Sequence, residues 1–126
     1  MISIGEIRKT FTPFYDNTQG RMNIKSRPAL IIAQADTEDY VVIPVSRITR
    51  QNNRDTTYDI EVDPVEYPML NLNAVSYIRT HKQTVVHRAQ IGDLIGELKS
   101  NYEDLYLLIL ELRERFSKEI TNQALM

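Results

Sequence analysis

The sequence contains no cysteine, which excludes disulfides, zinc–thiolate sites and thiol nucleophiles. It also lacks any apolar run that approaches the roughly 20 residues a membrane-spanning helix needs. The N-terminus has no basic region followed by an apolar core, so we expect no signal peptide, no membrane association and a cytoplasmic location. With 126 residues, 25% of them charged and 42% hydrophobic, the chain has the size and composition of one globular domain.

Several motifs of enzyme active sites are also missing. The sequence has no G-x-G-x-x-G, phosphate-loop, H-E-x-x-H or G-x-S-x-G pattern. The two histidines, His81 and His87, are six residues apart, which is not a recognisable spacing for metal ligands. Hydrolysis by a catalytic triad or by a bound metal therefore has no support, and we expect no metal and no cofactor.

Acidic residues are absent from three windows of the chain, although the net charge is −2. These windows are 17–35, 40–54 and 67–91, and each of them contains arginine. If the fold brings the windows together, the protein has a basic face whose local field attracts a polyanion. The alternative is a surface of mixed charge on which residues of the same sign are grouped along the sequence by chance.

Short β-type segments occupy most of the chain and are separated by turn formers. Alternation and β-branched residues predict strands over 5–11, 29–33, 40–45, 58–62, 74–79 and 91–98. Residues 12–26 contain several turn formers and predict a long, functional loop. We further expect a mobile loop over 51–56, a connection over 65–72, and a turn or short helical segment over 80–89.

The end of the chain predicts a helix. Ser100 to Glu103 fits a capping box, and apolar residues then recur at helical spacing. Additional apolar residues widen this stripe, so the helix either lies deep on the sheet or meets a second subunit. The predicted fold is mainly β (α+β): a small barrel over residues 1–119 with the C-terminal helix packed on it, and a tail over 120–126.

With catalytic triads and metal sites unsupported, the side chains that could still catalyse a reaction are arginine, serine or threonine, and histidine. Arg27 and Pro28 open one predicted strand, and Ser46 closes the next. Arginine binds phosphate oxygens in a bidentate fork, a serine hydroxyl donates to developing charge, and histidine moves protons near neutral pH. Because RNA carries its own nucleophile, the 2′-OH, such a set of groups can cleave RNA without a metal.

The order of short motifs resembles the MazF/PemK toxins, the ribonuclease partners of bacterial toxin–antitoxin pairs. The motifs are Gly5-Glu-Ile, "RPALII" from Arg27, "IPVS" ending at Ser46, "YIRT" at 77–80 and "IGEL" at 95–98. The resemblance implies an SH3-like β-barrel of the PemK/MazF/CcdB type and a homodimer. It also implies metal-independent, sequence-selective cleavage of single-stranded RNA, and DNA binding as a complex. The implied partners are the RNA and a cognate antitoxin whose tail occupies the RNA groove.

The same resemblance assigns site residues. Arg27 falls on the catalytic arginine before proline, and Ser46 falls where the family usually has threonine. Arg79 and Thr80 match the Arg-Thr pair of the strand that lines the groove. Ser76 stands where some members carry an acid, and Arg21 to Asn23 replaces the usual Ser-Glu-Gln, so we expect proton transfer to differ and His81 to compensate. The remaining expected RNA contacts are Lys25, Arg47, Arg50 and Tyr77.

Each assignment has a structural alternative. Arg27 and Arg79 would form ion pairs, Ser46 would bond its own backbone, and His81 would be a solvated loop residue. Tyr77 would pack in the barrel, and the remaining cations would be plain solubilising charges. For the whole protein, the alternatives are a gyrase-type poison on the same barrel and a catalytically silent module that binds RNA or a protein.

Overall fold

The computed structural model describes residues 1–126, in which seven strands form one curled antiparallel sheet that a C-terminal helix covers. The strand order is β4-β5-β3-β2-β1-β7, and β6 pairs with the first half of β3. The two ends of the order, β4 and β7, do not pair, so the sheet is an open half-barrel. The elements are β1 (Glu6–Asp16), β2 (Arg21–Gln34), β3 (Asp39–Ser46), β4 (Asp59–Val62), β5 (Ser76–Arg79), β6 (Thr84–His87), β7 (Ile91–Glu97), α1 (Leu98–Asn101) and α2 (Glu103–Ala124).

The main core lies between the concave face of the sheet and α2, which confirms the predicted fold class. Ile7, Leu30 and Ile43 come from three neighbouring strands and pack against Leu105 and Ile109 of the helix. A second, smaller cluster lies on the opposite face of β2, β3 and β6 and contains Ala29, Ile31, Val42 and Val86. Because β2 and β3 are buried on both faces, their sequences are continuous apolar runs rather than alternating ones.

The long loop predicted over 12–26 is wrong. β1 and β2 continue as a paired hairpin as far as Asp16 and Arg21, and only residues 17–20 form the turn. Asp16 accepts hydrogen bonds from the backbone N–H groups of Thr18 and Gln19, at 2.9 and 3.2 Å, and Gly20 takes the positive φ of 65°. The turn-forming residues of this segment therefore form a turn only at the tip of the hairpin, over residues 17–20.

Two further local predictions are also wrong. Residues 84–87 form β6 rather than a turn or helical segment, because the β-branched Thr84, Val85 and Val86 pair with β3. The capping box does not form, since Ser100 lies inside α1 and Tyr102 precedes α2 without a side-chain cap. α1 begins early because the N–H groups of Leu98 and Lys99 donate to the carbonyl of Gly5.

α2 is a continuous helix of 22 residues that ends at Ala124. It passes through position 119 without a break, so most of the segment expected as a tail continues the helix. Neither helix combines the length and the hydrophobicity that crossing a membrane requires.

Candidate active site

A cleft opens where β2 and β3 separate. The ladder between these strands ends at the pair Ala29–Pro44. Proline has no N–H group, so Pro44 on β3 and Pro28 on β2 remove two hydrogen-bond donors from this end of the ladder. Continuing the same register by two residues sets Arg27 opposite Ser46. The strand ends therefore bring these two side chains to the same gap.

The cleft has a volume of about 680 Å³ and a strongly one-sided charge. Its lining includes four cationic side chains, three serines and two asparagines, and it includes no aspartate or glutamate. A cleft lined by one sign of charge concentrates ligands of the opposite sign. The cationic residues are Lys9, Lys25, Arg27 and Arg47.

Arg27 is exposed and has no ion-pair partner, while its backbone is firmly held. It pairs with Thr10 of β1, and the buried Thr10 hydroxyl donates to the Arg27 carbonyl at 2.9 Å. Ser46 is held by its pairing with Tyr77 of β5, and its hydroxyl has no partner within the protein. A guanidinium and a hydroxyl without partners therefore face the cleft from two fixed strands.

Lys25 and Arg47 line the same cleft, whereas Arg50 does not. Lys25 also lies over the ring of Phe14, at 5.7 Å from its centroid. The sequence reasoning missed four polar residues of the lining: Lys9, Ser26, Asn71 and Asn73. Lys9 is the residue of β1 that pairs with Pro28, and the asparagines belong to the connection before β5. Asn71 and Asn73 lie inside the acid-free window 67–91, which is their only signal in the sequence, and Lys9 lies outside all three windows.

Comparison with known protein families shows the family of this chain. The family model for PemK-like, MazF-like toxins of type II toxin–antitoxin systems matches residues 8–105, well over half of the chain. The chain belongs to this family. A comparison with curated proteins gives no match. The matched span contains all of the residues that line the cleft and ends at the first turn of α2, and membership of this toxin family implies an antitoxin partner.

His81 of this toxin-family member, which the sequence analysis assigned to catalysis, does not line the cleft. Its ring stacks on Tyr58 at a centroid distance of 5.8 Å and meets the edge of Phe116 from α2 at 5.9 Å. The Nδ1 atom is buried, and it lies 3.7 Å from a carboxylate oxygen of Asp59. Burial lowers the pKa of His81 below its ordinary value, and the nearby Asp59 and Asp55 carboxylates partly offset this effect. His81 therefore fastens α2 to the barrel as a largely uncharged ring.

Arg79 is committed to the same buried cluster. Its guanidinium donates to both carboxylate oxygens of Asp59, at 3.0 and 3.3 Å, and to the Asn53 carbonyl at 3.2 Å. The Asp59 carboxylate is fully buried and also accepts the backbone N–H of Asp55 at 2.7 Å. Arg79 therefore holds the loop between β3 and β4 against β5, and it does not line the cleft.

Tyr77 and Thr80, which the sequence analysis assigned to RNA contact, make structural contacts and do not line the cleft. The Thr80 hydroxyl is buried and donates to the Tyr58 carbonyl at 2.7 Å. The Tyr77 ring is only 4% exposed, and its hydroxyl donates to Glu61 at 3.0 Å. Neither side chain is available to a ligand. Ser76, which stands where some family members have an acid, borders the cleft and donates to the Ala74 carbonyl at 3.0 Å.

Proposed function

We propose that this type II toxin is an endoribonuclease that cleaves single-stranded RNA by attack of the 2′-OH on the adjacent phosphate. The observation that carries the proposal is the cleft in which Arg27, Ser46, Lys25 and Arg47 converge with no acidic side chain. The field of this cleft suits a polyanion in spite of the net charge of −2. Sequence selectivity, a homodimer and a cytoplasmic location remain expectations of the same proposal.

Arg27 and Ser46 have different roles in this mechanism. The bidentate, permanently charged Arg27 guanidinium stabilises the extra negative charge of the phosphorane. The Ser46 hydroxyl donates to a non-bridging oxygen of the scissile phosphate and fixes it for in-line attack. The products are a 2′,3′-cyclic phosphate and a 5′-hydroxyl. The new bond from the 2′-oxygen to phosphorus replaces the bond from phosphorus to the 5′-oxygen, and the 2′-OH proton ends on the leaving 5′-oxygen.

Proton transfer does not depend on a histidine or carboxylate in this proposal. The cleft lining contains neither of these groups, which are the usual proton carriers near pH 7. Solvent therefore relays the proton from the 2′-OH to the 5′-oxygen, and the cleft contributes charge stabilisation and positioning. For the same reason, the lining offers no carboxylate, imidazole or thiolate ligand that would favour a metal-dependent mechanism.

Cleavage of a long mixed-sequence RNA in EDTA, mapped by primer extension, tests the proposal. We expect discrete breaks, and we expect Arg27→Ala to reduce their rate by at least roughly 100-fold, as for loss of one group that stabilises transition-state charge. Arg21→Ala is the matched control, because Arg21 is an exposed arginine on the same strand whose guanidinium donates to Gln19. Ser46→Ala should lose activity and Ser46→Thr should retain it.

A folded Arg27→Ala protein that cleaves as fast as the wild type would refute the mechanism. RNA that is bound but left intact by the wild-type protein would favour a silent binding module. DNA damage that depends on gyrase, in the absence of RNA fragments, would favour a gyrase-type poison.

A further inference from the structure

The loop between β3 and β4 is held over the outer face of β5. Arg79 fixes the carbonyl of Asn53, and Asp59 fixes the N–H of Asp55, so both neighbours of Arg54 are tied down. The backbone at Arg54 therefore has little conformational freedom, although Arg54 lies in a surface loop.

Arg54 lies on the ring of Tyr77. Its guanidinium carbon is 5.1 Å from the ring centroid, a distance at which a cation is attracted to an aromatic face. The Tyr77 hydroxyl donates to Glu61, which holds the hydroxyl end of the ring in position. Tyr77 points to the outer face together with its partner Ser46, yet it is only 4% exposed, because Arg54 and its loop cover it.

The donors of Arg54 are not used inside the protein. Arg54 forms no ion pair, whereas the neighbouring Arg79 is bound to Asp59. Its Nε atom is buried and has no hydrogen-bond partner. A ligand oxygen cannot reach this buried atom, so the terminal nitrogens of the guanidinium, which form no hydrogen bond within the protein either, are the donors available to a ligand.

Arg27, Ser46 and Tyr77 lie in one row across three adjacent strands. Ser46 pairs directly with Tyr77, which sets their Cα atoms roughly 5 Å apart, and the β2–β3 register sets Arg27 on the other side of Ser46. Arg54, which lies on the Tyr77 ring, places a second cation in this row, on the other side of Ser46 from Arg27. A chain of phosphates that crosses the strands at Ser46 therefore meets Arg54 next.

We propose that Arg54, preorganised by the Tyr77 ring, binds the phosphate adjacent to the one held at Ser46. This inference rests on the proposed function, in which single-stranded RNA lies across the cleft. Tyr77 then contributes to RNA binding without touching RNA, as a platform that positions the guanidinium. The planar guanidinium both stacks on the ring and donates to phosphate oxygens, which a lysine does not match.

The dependence of RNA affinity on salt concentration tests the proposal. The probes are two fluorescent oligonucleotides of unrelated sequence with 2′-O-methyl groups, which lack the nucleophile and stay intact. Loss of one phosphate contact should make the slope of log affinity against log salt shallower by about 0.7 for single strands, equally for both sequences. We expect this change for Arg54→Ala and for Arg54→Met, which removes the charge but still covers Tyr77.

The control variants separate the phosphate contact from a structural role. Arg88→Ala should leave the slope unchanged, because Arg88 follows β6, which pairs with the end of β3 opposite to Ser46. Tyr77→Phe should also leave it unchanged, because the ring remains. Thermal unfolding of each variant verifies that it is folded.

Three results distinguish a failure of this inference from a failure of the proposed function. A wild-type slope in folded Arg54→Met means that Arg54 only covers Tyr77, and it leaves the proposed function intact. Binding without cleavage of ordinary RNA by the wild type refutes the endoribonuclease, while the change in slope still decides the role of Arg54. No binding of either oligonucleotide at low salt overturns both proposals.

Discussion

Replacing Asp59 with alanine should destabilise the protein strongly, because its buried carboxylate organises the cluster around Arg79. The substitution removes the acceptor of two Arg79 bonds and of the Asp55 N–H. Removing one partner of a buried ion pair costs about 3–5 kcal/mol. The Arg79 side chain is 22% exposed and keeps the Asn53 carbonyl, so water compensates part of the loss. We therefore expect a loss of about 3 kcal/mol in the free energy of unfolding.

Urea unfolding at neutral pH measures this loss directly. For a domain of this size, about 3 kcal/mol corresponds to a decrease in Tm of roughly 12 °C. Glu38→Ala is the matched control, because the Arg88–Glu38 pair is 3.1 Å long but well exposed, and such pairs contribute at most about 1 kcal/mol. Equal losses for Asp59→Ala and Glu38→Ala would refute the reasoning, and Arg79 and His81 would then again be candidates for contact with RNA.

Three other substitutions test the parts that surround the cleft. Gly96→Ala should cost about 1–3 kcal/mol in urea unfolding, because its Cβ would lie 2.8 Å from the Leu70 carbonyl oxygen, and backbone atoms do not yield easily. Thr10→Val should cost about 1 kcal/mol in the same assay, since the Arg27 carbonyl loses its side-chain donor. Burial lowers the pKa of His81 in the folded protein below the ordinary 6.5, so the unfolded chain binds more protons. The free energy of unfolding should therefore fall as the pH drops below about 6.5 towards the lowered pKa, and His81→Phe should flatten this segment of the pH profile while leaving RNA cleavage intact.

The sequence was sufficient to predict the fold class and the two neighbouring strands whose ends carry Arg27 and Ser46. Two apolar runs with a turn between them define a strand pair, and the residues at its open end follow from counting along both strands. The early start of α1 was not predictable, since it depends on the carbonyl of Gly5, some ninety residues earlier in the chain. Gly5 takes a φ of 96° and has Lys99 packed against it, which explains a glycine at this position in structural terms.

His81 and Tyr77, two predicted site residues that do not line the cleft, have one feature in common, which is cover from distant parts of the chain. His81 follows a short strand and looks like a loop residue, but Phe116 from α2 encloses its ring. Tyr77 has the outward position of its strand, but the loop that carries Arg54 closes over it. Local alternation indicates the direction in which a side chain leaves the sheet, and it contains no information about what later packs on top.

Because Pro28 and Pro44 interrupt the strand pairing, the cleft can hold binding residues that do not contribute to the apolar core. The cleft is an interruption in the hydrogen bonding between two strands and not a hollow in the core, because neither Arg27 nor Ser46 belongs to either apolar cluster. Substitution of Arg27 or Ser46 therefore leaves the packing of the core largely unchanged. A protein built in this way can exchange its ligand preference by point mutation without first acquiring surplus stability, which is a favourable starting point for evolving or engineering new specificities.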